Sequence, residues 1–197
     1  ENRIQKFFDS IPNKKNLTTV RFVDLDTNEL DLSRFVNIKS LYLDDVHNSK
    51  FFLDNIIKDN IESLYFKGCE CFGFIKNLDF SKLVNLRELF FEFTIISSYD
   101  TGLGVDKFNA NVNASNLEKL HFISSNMQGF DYSKYTEIRE IKLERVINLT
   151  AVIFNGIPNK EKVRKLELVF CDVLDFDFSG FNALSLLRLS NITDLDE

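Results

Sequence analysis

Asn37-Ile38-Lys39-Ser40-Leu41-Tyr42-Leu43 carries the pattern that organises this chain. Counted from Ile38, apolar residues stand at positions one, four and six, and the same spacing begins again at Leu17, Ile61, Leu86, Leu117, Ile138, Val163 and Leu184. The intervals between successive starts are 21, 23, 25, 31, 21, 25 and 21 residues. Alternation across positions four to six is a strand signal, because successive side chains of a strand point to opposite faces. A strand that returns every 20 to 30 residues predicts a solenoid, in which each unit buries its apolar side only by stacking on its neighbours.

The copies resemble leucine-rich repeats, whose pattern is L-x-x-L-x-L-x-x-N/C, and the resemblance spans nearly the whole chain. It implies an α/β leucine-rich-repeat solenoid: a right-handed superhelix of about eight repeats, with a parallel concave sheet and a mixed helical and extended convex side. The chain departs from the family at position nine. That position reads Leu25, Val46, Cys69, Thr94, Ser125, Val146, Cys171 and Ile192, so the family's asparagine is missing throughout and its cysteine occurs twice.

The connectors alternate in kind. Leu30-Asp31-Leu32-Ser33-Arg34-Phe35, 78–83, 130–135 and 176–181 share an apolar-Asp-apolar-Ser pattern that suits an extended crossing followed by a short turn. The regularly placed Asp and Ser read as groups that bond nearby main chain. Phe8-Asp9-Ser10-Ile11-Pro12-Asn13-Lys14 matches 154–160, and together with Phe52 to Asn60 and Val105 to Asn116 these connectors read as helical. The longest connector, Thr94 to Asn116, contains a candidate protruding loop from Ser97 to Gly104.

With 44% apolar and 13% aromatic residues, 197 residues suffice for one good core, and no Gly/Ser/Pro-rich linker divides them. Residues 1–197 therefore read as a single domain. Its terminal repeats lack a polar cover, from which we expect it to be a fragment of a longer protein. A net charge of -6 is the wrong field for tracking phosphates, so nucleic-acid binding is not expected. No apolar run is long enough to enter and span a bilayer.

Cysteine usage favours a reducing compartment. Cys69 and Cys171 hold the same repeat position four repeats apart, roughly 20 Å at the stacking distance of strands. A disulfide needs α-carbons within about 7 Å. Four glycosylation sequons begin at Asn16, Asn113, Asn148 and Asn191, against about two by chance for this composition. The expected location is cytoplasmic or nuclear, with secretion second.

Chemistry of the catalytic kind is not written here. His47 and His121 sit in no metal-ligand spacing and beside no nucleophile signature, and Gly102-Leu103-Gly104 lacks the rest of a phosphate loop. We therefore expect no enzyme, cofactor, metal or small-molecule substrate. The informative set is position five, which points away from the core and forms a column: Arg21, Tyr42, Tyr65, Phe90, His121, Lys142, Glu167, Arg188. Position seven flanks it with Asp44, Lys67 and Glu92. Aligned rings rimmed by charge have the composition of a protein-binding hot spot. Candidate partner-binding residues are Arg21, Tyr42, Tyr65, Lys67, Phe90, Glu92, His121 and Lys142. By resemblance the role is protein recognition on the concave face, as an adaptor or substrate receptor like the repeat domains of F-box ubiquitin-ligase receptors. The alternative is a secreted or surface-displayed adhesin or pathogen effector.

Overall fold

The structure, a computed structural model, describes residues 3–27, 30–47, 59–68, 80–92 and 112–192. Eight strands occupy the places where the repeat pattern recurs: β1 (Thr19–Asp26), β2 (Ser40–His47), β3 (Ser63–Lys67), β4 (Glu88–Glu92), β5 (Lys119–Ile123), β6 (Glu140–Glu144), β7 (Lys165–Val169) and β8 (Leu186–Ser190). They form one parallel sheet in sequence order, the arrangement of a β-solenoid. Each strand pairs with the next at equal repeat positions. Leu41 lies opposite Val20 and Leu64, and Tyr42 lies opposite Arg21 and Tyr65. A slip by one residue would turn every core side chain outward, so the apolar alternation forbids it.

Positions one, four and six fill the core. In the repeats that begin at Ile38, Ile61, Leu86, Leu117, Ile138 and Val163, all of these side chains are buried. Each contributes about 1.5 to 3 kcal/mol by leaving water. The last repeat differs, with Leu187 51% and Leu189 39% exposed, because no described residue packs beyond β8.

Position eight ends or bends the strands. Asp24, Asp45, Gly68, Ser124, Arg145, Phe170 and Asn191 all take left-handed φ values between 48° and 58°. In four of these corners the amide of position eight donates to the position-seven carbonyl of the next strand: Gly68 to Glu92, Ser124 to Glu144, Arg145 to Val169 and Phe170 to Ser190. Gly68 accepts this conformation at no steric cost and Asp and Asn tolerate it; Ser124, Arg145 and Phe170 are held there by the ladder on either side.

The asparagines do lock the repeats together, but from the opposite end of the strand to position nine. The residue before position one is Asn in the first five repeats, and in four of them its side chain reaches back to the repeat before. Asn37 donates to the Lys15 carbonyl at 2.6 Å, Asn60 to Val36 at 2.6 Å, Asn85 to Asp59 at 2.5 Å and Asn116 to Val84 at 2.8 Å. Each bond reaches back to the carbonyl just before the equivalent residue of the preceding repeat. Position nine instead turns inward. Ser125 and Cys171 are 1% exposed there, and their side chains donate to the carbonyls of Ile123 and Leu143. The Cys171 thiol is free, while Cys69 and Cys71 lie outside the described residues.

The connectors follow their sequence types where they are described. In the apolar-Asp-apolar-Ser segments, Asp31, Asp131 and Asp177 each accept the amide of the Ser two residues on, at 2.8 Å. The Ser133 amide and hydroxyl hold the Asp131 carboxyl below its usual range, and the Ser179 hydroxyl and amide do the same for Asp177. Residues 78–79 lie outside the described residues, and the remainder of that segment forms a 3-10 turn, Phe80–Lys82.

Helices α1 (Arg3–Ser10) and α2 (Ala151–Asn155) occupy the two matched connectors. Each leads through a left-handed Asn, Asn13 or Asn159, into a 3-10 turn. Each also buries one equivalent Phe: Phe8 against Phe22 and Phe35, and Phe154 against Phe176, Phe178 and Phe181. The other two expected helices fall mostly outside the described residues, as does the loop from Ser97 to Gly104. Their described ends, 59–60 and 112–116, show turns rather than helix. In the second of these, Asn113 bonds the amide and hydroxyl of Ser115.

Candidate functional site

The face of the sheet opposite the core is open, and position five runs down its middle. Tyr42 stacks on Tyr65 with ring centroids 4.0 Å apart and planes 12° from parallel; Tyr65 stacks on Phe90 at 4.1 Å and 15°. His121 closes the row, edge-on to Phe90 at 4.2 Å and 79°. The ring faces are thus turned toward one another along the stack, and their edges face outward.

Ring spacing differs between the two sides of the sheet. Strands lie about 4.8 Å apart. On the core side, Phe66, Phe91 and Phe122 stack at 5.3 and 5.6 Å. The rings of the open face thus stand closer together than those of the buried face.

A polar layer anchors the rings. The Tyr65 hydroxyl donates to Glu88 at 2.7 Å, and Glu88 also accepts from Lys119 at 2.6 Å and from Ser63 at 3.2 Å. Partial burial opposes the charge on Glu88, but the bonds from Lys119, Tyr65 and Ser63 outweigh it and hold the carboxyl below its ordinary value. Burial and the bonds to Glu88 and Tyr42 push the Tyr65 phenol well above its usual range. His121 Nε2 lies 3.0 Å from Glu140, whose other oxygen is 3.4 Å from Lys165. Burial lowers the affinity of His121 for a proton, and Glu140 only partly restores it.

A cleft of about 170 Å³ runs beside the rings, lined by Arg21, Tyr42, Asp44, Tyr65, Lys67, Phe90, Glu92, His121 and Ile123 together with Leu43, Phe66 and Phe91. Seven of the eight candidate residues meet there. Lys142 does not; it lies 3.2 Å from Glu144, which Arg145 also holds at 2.9 Å. Asp44 and Ile123 were absent from the candidate set, although position seven places them in the same column as Lys67 and Glu92. Asp44 bridges Arg21 at 3.3 Å and Lys67 at 4.0 Å. The anchoring layer of position three was also missed. Its order Ser63, Glu88, Lys119, Glu140, Lys165 is an alternation of sign readable in the sequence once the strands are aligned.

The solenoid also gathers groups that sequence spacing kept apart. Oxygen or nitrogen ligand atoms of Asp24, Asp45 and His47 lie within 4.8 Å of one another. Both carboxylates are exposed, and both residues sit at the bent position eight of adjacent repeats. These are the described residues that could hold a metal ion. No described helix is long and apolar enough to cross a membrane.

Set beside family models, curated proteins and solved structures, the chain matches none of them.

Proposed function

We propose that this chain is a leucine-rich-repeat module, right-handed and concave on its open sheet face, that recognises a partner protein there as an adaptor or substrate receptor of the cell interior. The observation that carries this reading is the outer row Tyr42–Tyr65–Phe90. Three half-buried rings on the solvent side of a sheet, beside a cleft, supply pre-ordered apolar surface whose loss of side-chain freedom is already met in the free protein. The convergence of these rings supports the concave form. Their mutual stacking also narrows what binds. A sugar ring needs an aromatic face to lie on, and here both faces of Tyr65 and one face each of Tyr42 and Phe90 are taken up by the stack. Side chains of a protein partner, by contrast, pack well against a ridge of ring edges.

Replacing Tyr42, Tyr65 and Phe90 together by Ala tests this reading. The triple variant keeps the circular-dichroism spectrum of the native chain and loses binding of peptides and proteins on the open face. An unaltered binding profile would overturn the assignment.

A further inference from the structure

We infer that the partner segment seated in this cleft is basic and delivers an Arg or Lys side chain to Glu92; the inference rests on the protein-recognition reading above. It starts from an asymmetry in how the open face neutralises its own charge. In the columns of positions three, five and seven, Asp44, Glu88, Glu140, Glu144 and Glu167 each have a Lys or Arg nitrogen within 3.4 Å. Glu92 is the exception in those columns: among the described residues its carboxylate has neither a hydrogen bond nor a cation, although it is partly buried and lines the cleft.

The neighbours of Glu92 explain why it stays unmatched and what would match it. In register, Glu92 lies between Lys67 of β3 and Ile123 of β5. Lys67 lies within 4.0 Å of Asp44, across the strand on its other side, and Ile123 offers no charge. Beside Glu92 the cleft therefore presents an apolar wall, formed by Phe90 and Ile123, that ends at a carboxylate. A long basic side chain has the complementary form, with an aliphatic stem that packs on apolar surface and a head that donates charge-assisted hydrogen bonds. An acidic or phosphate-bearing partner would bring like charge to the same point.

The experiment is selection of a random-peptide display library on the wild-type chain, on Glu92→Gln, on Glu92→Lys and on the Tyr42/Tyr65/Phe90 triple Ala variant. Each is first checked for native circular dichroism. The expected result is enrichment of Arg and Lys in the wild-type pool. Individual peptides from that pool should weaken on the order of tenfold on Glu92→Gln, in keeping with the loss of a charged hydrogen bond, and acidic residues should replace basic ones in the Glu92→Lys pool. If Glu92→Lys does not fold, Glu92→Gln alone decides, since it changes charge without changing shape. Neutral or acidic wild-type pools, or basic peptides that bind Glu92→Gln equally well, overturn the basic partner. They leave protein recognition standing if the triple Ala variant still loses those peptides. A wild-type chain that enriches no peptide, or a triple Ala variant that keeps them all, overturns both.

Discussion

Strands β3 to β5 carry one aromatic column on each side of the sheet, and the two have opposite duties. Inside, Phe66, Phe91 and Phe122 are at most 3% exposed and stack nearly parallel, with planes 6° and 4° apart. Outside, Tyr65, Phe90 and His121 are only partly buried, and Tyr65 and His121 are tied to a layer of ion pairs. Phe90 and Phe91 are chain neighbours of identical chemistry, yet one pleat separates a residue that holds the solenoid together from one that is free to meet a partner. The buried column draws on the full transfer from water plus close packing; the outer one draws on cross-strand contact worth about 0.2 to 1 kcal/mol per pair.

The largest test of this contrast is a pair of substitutions. Phe91→Ala opens a cavity in the core and lowers unfolding stability by about 3 to 5 kcal/mol, whereas Phe90→Ala lowers it by about 1 kcal/mol or less, both read from urea melts. Equal losses would show that the outer column is structural after all.

A smaller effect of opposite sign is expected on the buried side. Tyr132 is 1% exposed, and its hydroxyl has no hydrogen-bond partner among the described residues. Burial, and to a lesser extent the nearby Cys171, pushes this phenol upward. Tyr132→Phe removes the stranded hydroxyl and leaves the ring contacts to Phe130 and Tyr135, so it should raise stability by about 1 kcal/mol. A loss of stability would mean that the hydroxyl is bonded in solution.

The smallest expected effect concerns acid and the outer layer. Glu88 titrates below its ordinary value of 4.5 in the folded chain. Its contribution is therefore present in full above that value and is lost as the pH falls through the lower, folded one. In urea melts across this range, wild type should exceed Glu88→Gln at neutral pH, and the gap should close on acidification below 4.5. A gap that persists in strong acid would assign the difference to packing and not to charge.

Strand positions, sheet order and register were all legible in the chain, because pleat alternation is local and the repeat template leaves one way to keep every apolar residue inside. The same alternation placed Arg21, Tyr42, Tyr65, Lys67, Phe90, Glu92 and His121 on one face. Other features depend on partners one repeat away and had no local signature. The asparagine ladder donates to carbonyls of the preceding repeat, so the absence of Asn at position nine was a poor guide to how the repeats are locked. Arg145 and Phe170 carry no sequence sign of a left-handed corner, and the ladder imposes it on them.

Composition and spacing by themselves determined a solenoid with an aromatic outer column. Tertiary structure alone decided that the rings would turn their faces to each other, that Asp44 would engage the cations on either side of it, and that Glu92 would find none among the described residues. The physical reason is reach: pleat direction is set within a few residues along the chain, but ring stacking and charge pairing are settled between strands whose positions only the stacked repeats supply.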